Sequence, residues 1–291
     1  MHSALYIAVC LLLLGACVVP FGSYMARVYT GKVWLEKPLG WLERLIYALA
    51  GIDSRKEMTW RAYTAAILIL GATGFLALFA IFSLQGMLPL NPQGMPGLSA
   101  DLAFNAAISF VTNTNWQGYA GESTLSYLSQ MSGVTVQNFL SASTGMAVSI
   151  AFIRGLCRQK SGTLGNAYVD VVRGILYILL PVAFVFSLFL ASQGVIQNLN
   201  NYTQFTSPFT GEEMKIAQGP VASQVAIKML GSNGGGFFNA NGAHPFENPT
   251  PLTNMLQIVY MLLIPASLLY SFGVMVGDRR QSFVLLAAVM I

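Results

Sequence analysis

Charge is what this chain has least of. Only 9% of its 291 residues are Asp, Glu, Lys or Arg, against roughly a quarter in soluble globular chains. Stretches at about 4–26, 62–86, 128–153, 174–192 and 251–276 contain none at all. That scarcity excludes an ordinary soluble domain, and most of these stretches reach the roughly 20 residues that a bilayer-crossing helix requires. Cysteine is equally sparse. Cys10, Cys17 and Cys157 form no metal or redox spacing and read as small apolar residues in or beside helices. His2 and His244 stand alone, so no metal-ligand set is suggested. No Lys or Arg precedes the first apolar stretch, whereas Arg27 follows it. This argues against a cleaved leader, despite a lipoprotein-like Leu14-Gly15-Ala16-Cys17 box, and for a helix running from outside to inside.

The few charges present are unevenly placed. Arg27, Lys32, Lys37, Arg44, Arg55, Lys56 and Arg61 lie between the first two apolar stretches; Arg154, Arg158, Lys160 and Arg173 between the third and fourth; Arg279 and Arg280 after the fifth. The opposite side holds only Lys215 and Lys228. The positive-inside rule makes the basic side cytoplasmic and the N-terminus external. Because the basic residues are scattered over three loops, they read as topology signals rather than as a nucleic-acid footprint. Asp53 beside Arg55 and Lys56, and Asp278 beside Arg279 and Arg280, read as solvated loop ends.

The expected fold is an all-α polytopic membrane protein. Residues 1–61 form an N-terminal transmembrane helix and a basic segment in which Trp34, Leu35, Trp41, Leu42, Leu45, Ile46 and Leu49 alternate with charges, as in a helix lying at the cytoplasmic interface. Residues 62–154 and 169–276 follow one grammar: a span, an outer loop, a short helix, a polar loop and a second span. Residues 282–291 read as the start of a truncated further span. The short helices are expected near 100–112, with Ser99 as cap and Asp101 in the first turn, and near 220–230, with Pro220 at the first position and Gly231 just past the end. Each amounts to about 16 Å, so neither can span; they dip in and return.

Each short helix leads into a run of Asn, Gly, Ser and Thr: Thr112-Asn113-Thr114-Asn115-Trp116-Gln117-Gly118 and Gly231-Ser232-Asn233-Gly234-Gly235-Gly236. Non-helical backbone at membrane depth is tolerated only inside protein or along a water-filled cavity. Two such loops in matching surroundings point to carbonyl oxygens offered to a cation, at the interface of a duplicated unit. Asp and Glu are missing from both, which argues against a calcium-type filter and for a monovalent ion. The glycine run also lacks the Lys-Ser/Thr of a P-loop and faces outward, away from ATP. Gln130, Gln137, Ser141 and Thr144 fall on one face of the third span, with Asn138 and Gly145 adjacent. They line a polar path or hydrogen-bond between helices. Glu122 and Glu247 either concentrate cations at a mouth or are simply solvated, and Lys228 is expected to point away from the ion or to be paired.

These loops carry a resemblance. Ser109-Phe110-Val111-Thr112-Asn113-Thr114-Asn115-Trp116-Gln117 resembles the first pore loop of the potassium-binding A subunits of bacterial Kdp potassium-uptake ATPases, as do residues 130–141. Asn233-Gly234-Gly235-Gly236-Phe237-Phe238-Asn239-Ala240-Asn241, with His244-Pro245-Phe246-Glu247-Asn248-Pro249-Thr250, is similar to the second-repeat segment of that family, and residues 277–281 to one of its cytoplasmic loops. The resemblance covers essentially the whole chain. It implies the potassium transporter superfamily fold, in which four helix–pore-helix–helix repeats surround one filter; here there are two. It further implies K+ as the transported ion, with no organic cofactor and no catalytic residue in this chain. The filter residues would be Thr112, Asn113, Thr114, Asn115, Gln117, Ser232, Asn233, Gly234 and Gly235. The implied setting is the bacterial inner membrane, and the implied partners are a P-type ATPase catalytic subunit and small accessory membrane subunits, since no Asp-Lys-Thr-Gly phosphorylation motif occurs here. The residues alone also leave open a stand-alone or ion-gradient-driven cation channel, and a non-conducting membrane scaffold.

Overall fold

The computed structural model describes residues 2–158, 161–208, 211–239 and 241–290. Lys160, Ala240 and Ile291, and the side chain of His2, named above, lie outside that description. Five long apolar helices dominate: α1 (His2–Tyr29), α3 (Trp60–Leu84), α5 (Ser129–Cys157), α6 (Ala167–Ser192) and α8 (Pro251–Val276). Between them lie α2 (Glu36–Ala50), the short helices α4 (Ala100–Val111) and α7 (Val221–Leu230), and finally α9 (Arg279–Met290). α5 and α6 each contain a wide π-helical turn, at Ser129–Thr135 and Gly174–Leu179. The loop before α7 holds an antiparallel hairpin, β1 (Thr203–Thr206) with β2 (Glu213–Ile216), which the polar composition of that loop did not announce.

α6 begins before the expected fourth span at 174, and takes in Asp170 and Arg173. The charges are tolerated because they are partnered. Arg154 on α5 grips Asp170 at 2.5 and 2.9 Å, and the Tyr63 hydroxyl donates to the same carboxylate at 3.0 Å. Asn166 caps the helix by accepting from the amides of Tyr168 and Val169. α2 leaves Trp41, Leu45 and Leu49 exposed, as is Trp34 just before it, and buries Gly40 and Glu43. Glu43 fastens it to α6, accepting from the Tyr177 hydroxyl at 2.6 Å and from Arg173 Nε at 2.9 Å. Burial pushes the Glu43 carboxyl up. Hydrogen bonds from Tyr177, Tyr47 and Arg173 outweigh it and hold the group below the usual carboxylate range.

α1 packs along α8 through small residues. A Cβ on Gly22 would sit 2.7 Å from the Ser267 carbonyl oxygen, and Ser271 Oγ donates to Gly22 O at 2.8 Å. α8 is bounded by a reciprocal cap between Thr250 and Thr253 and by Gly277 in the left-handed conformation, after which α9 folds back, its Ser282 Oγ bonded to Tyr270 O.

Each short helix rests on the span before it. Ala103, Ala106, Ala107 and Phe110 of α4 pack on Leu78 and Phe82 of α3. Val221, Ala222, Val225 and Ala226 of α7 pack on Phe186 and Leu190 of α6. Their ends differ in detail from expectation. Ser99 holds the cap position of α4 without a capping hydrogen bond, and Pro220 precedes the first turn of α7 rather than entering it. Gly231 keeps a right-handed φ of −73°, and Ser232, at φ 53°, makes the left-handed turn instead.

Candidate functional site

The two short helices deliver their C-terminal ends to one place, and the loops that follow meet there. The first loop turns twice through left-handed backbone at Asn113 (φ 63°) and Asn115 (φ 57°), a conformation that asparagine tolerates better than other side chains. The second turns at Ser232, then at Gly235 (φ 67°) and Gly236 (φ 158°), where a side chain would be strained.

Side-chain amides stitch the loops together. Asn233 Nδ2 donates to Asn113 Oδ1 and, at 3.2 Å, to Ser141 Oγ, which itself donates to Asn113 Oδ1 at 2.7 Å. Gln117 Oε1 accepts the Gly236 amide at 2.8 Å, and Asn239 Nδ2 reaches Gln117 O at 3.3 Å. A Cβ on Gly234 would stand 3.0 Å from the Thr114 carbonyl oxygen, and one on Gly235 would stand 2.9 Å from that of Asn115. The glycines therefore permit backbone of the second loop to lie directly against backbone of the first.

A cleft of about 480 Å³ opens at this junction, bounded by Thr114, Asn115, Gln117, Asn233, Gly234 and Gly235. Asn113 lies behind it in the amide network. Thr112 and Ser232 turn to helix backbone instead: Thr112 Oγ1 bonds Ile108 O at 2.9 Å, and Ser232 Oγ bonds Met261 O at 2.8 Å. The Oδ1 atoms of Asn115 and Asn233 are buried without a hydrogen-bond partner. These acceptors lie beside the carbonyl ends of two helices, together with the equally unpartnered Gln117 Nε2 donor and the Lys228 ammonium that also lines the cleft. Among the described residues no three His, Cys, Asp or Glu side chains converge as a metal site. The available ligand chemistry is neutral oxygen.

The polar face of α5 bonds one neighbouring helix and both loops. Gln130 Oε1 accepts from Gln224 on α7 at 2.9 Å, Asn138 Oδ1 accepts from Asn115 at 2.6 Å, and Ser141 serves both loops. Glu247 corrects its expectation. It neither sits at a mouth nor faces solvent: it is fully buried and paired with Lys228 at 2.9 Å. Lys228 is paired, as expected. The reason is topological, because the chain after the second loop folds back under it and carries Glu247 beneath α7. Asn241, whose Oδ1 accepts the Gly235 amide at 2.6 Å, and Gln85, fully buried and braced against Pro96, Thr124, Ser126 and Ser129, had no local signal in the sequence.

The family model described as "Potassium-transporting ATPase A subunit" matches residues 8–291. A relative from Herpetosiphon aurantiacus, named as a potassium-transporting ATPase potassium-binding subunit, is 53% identical over 298 residues, covering 100% of this chain and 52% of its own length. One of the same name from Methylobacterium radiotolerans is 55% identical over 286 residues, covering 98% of this chain and 49% of its own length. The chain spans about half the length of the curated relatives it matches.

Proposed function

The chain belongs to the potassium-transporting ATPase A subunit family, and from that premise we propose that its two loops form part of a K+-selective filter in an ATP-driven uptake complex. The filter set is Thr112, Asn113, Thr114, Asn115 and Gln117 with Ser232, Asn233, Gly234 and Gly235. Backbone carbonyls strip and replace the hydration shell of the ion, while the amide network holds them at a fixed spacing. K+ enters from the outer face, the N-terminus lies outside, and the basic loops face the cytoplasm of a bacterial cell. Two quarters cannot close a ring, so a further pair of such units completes it. The ion then passes to a P-type ATPase subunit, which hydrolyses ATP, with small accessory membrane subunits alongside. This chain supplies selection and passage and no chemistry of its own.

One observation carries this reading: backbone of the second loop lies against backbone of the first at Gly234 and Thr114, beside buried acceptors that lack partners. Gly234→Asp and Gln117→Arg, each made in the full-length subunit and assayed in its complex, test it. The first forces a carboxylate toward the Thr114 carbonyl, and the second replaces the acceptor of the Gly236 amide with a donor. Each is expected to shift apparent K+ affinity by more than about threefold, roughly 0.7 kcal/mol. Unchanged affinity in both would leave a membrane scaffold as the better account.

A further inference from the structure

Lys228 is an unusual residue to find on α7. Its ammonium is 1% exposed and the Glu247 carboxylate 0% exposed, with 2.9 Å between them. Taking two charges out of water is expensive, and apolar residues of similar volume are often equally stabilising in such places. Stability alone is therefore a poor account of the pair. What the pair touches is more informative. Lys228 Nζ donates to the carbonyl oxygen of Gly235 at 3.1 Å. Glu247 Oε1 accepts the amide of Phe237 at 2.9 Å, and Gln257 on α8 donates to Glu247 O at 2.9 Å. Gly236 lies between these two clamps. A Cβ there would come 2.2 Å from Lys228 Nζ and 2.9 Å from Glu247 Oε1, so any side chain at this position would have to displace the pair. Its amide is held from the other side by Gln117 Oε1. Two successive peptide groups are thereby fixed, the first at both its carbonyl and its amide, by side chains from α7, from the segment after the loop and from the first loop.

We infer that Lys228 and Glu247 are positioning residues of the cation filter, and that Lys228 draws the Gly235 carbonyl away from the ion path. The ammonium takes up at that oxygen the place a cation would otherwise hold. The second loop's ion ligands are then the carbonyls of Ser232, Asn233 and Gly234, and Gly235 serves as the anchor at which the loop is tied down. The inference rests on the filter reading above and narrows it, since it assigns two charged residues outside both loops to ion selectivity and removes one glycine from the ligand set.

The test uses the full-length subunit in its transport complex, with ATP hydrolysis titrated by K+ and by Rb+. The double variant Lys228→Met with Glu247→Gln removes both charges together and so leaves no buried charge unpaired. Its KM for K+ is expected to rise by about tenfold or more with kcat little changed, the pattern of lost ion binding, and its preference for K+ over Rb+ to fall. Lys228→Arg, which keeps the charge and a donor, is expected to stay closer to wild type than the double variant. KM does not depend on how much complex assembles, so a poorly assembling variant still reports. A double variant with lower yield but KM within twofold of wild type and an unchanged K+/Rb+ ratio would make the pair merely structural and overturn the inference. Gly234→Asp, run alongside, separates the two claims. If it shifts K+ affinity while the double variant does not, only the positioning role falls; if neither shifts it, the filter reading falls as well.

Discussion

Single side chains at both ends of this molecule act by holding something else in place. Asp170 is the plainest case at the basic end. It balances Arg154, whose guanidinium also donates to Tyr29 O at 3.1 Å and Leu164 O at 3.0 Å, so one charge pair gathers α1, α5, α6 and the loop between the last two. Asp170→Asn leaves that guanidinium buried without its counter-charge, which costs about 3–5 kcal/mol. A correspondingly lower melting temperature, or loss of assembled complex, is the expected outcome in detergent. Glu43 adds a pH dependence. Its folded value lies below the ordinary one, so its contribution is full above the ordinary carboxylate value and is lost as pH falls through the lowered one. The melting temperature of Glu43→Gln should therefore trail that of wild type at pH 7 and converge with it as pH falls through the lowered carboxylate value. A deficit that persisted unchanged into acid would show that packing of α2, not the carboxylate, is what the substitution damages.

At the scale of elements, hydropathy made the five long helices and two short ones readable, because lipid demands uninterrupted apolar side chains and hides nothing else. It failed where charges are paired. The α6 helix runs back through Asp170 because Arg154 and Tyr63 wait for it, and no local pattern announces a partner that comes from another helix. The same limit hid the role of Glu247. Its burial follows from the return of the chain beneath α7, a long-range event, whereas the loops themselves were legible from their Asn and Gly content alone. Left-handed turns at Asn113 and Asn115 fit their residue type; the turn at Ser232, beside a glycine that does not use its freedom, does not. The helix contact most open to test is α1 with α8. Gly22→Leu drives a branched side chain into a gap in which even a Cβ would sit 2.7 Å from the Ser267 oxygen. Overpacking of this kind costs about 1–3 kcal/mol or more, and a fall in melting temperature with separation of the N-terminal helix, read by protease sensitivity, is expected.

For the whole molecule, the proposed ion site would be built from weak neutral ligands. Lys228 and Glu247 neutralise one another beside the loops, and the cleft wall combines loop backbone and carboxamides with Lys228, Trp116, Met229 and Met261. A site of that kind can bind a dehydrated monovalent ion and still release it. The proposed site has a definite location, which heavy-ion scattering tests directly. Crystals of the full-length subunit in its complex, soaked with Tl+ or Rb+, should show an anomalous peak in the cleft between Thr114 and Gly234, in contact with backbone carbonyls of residues 112–117 and 232–234. A transport-competent complex whose peaks all lie elsewhere, with that cleft empty, would contradict the account.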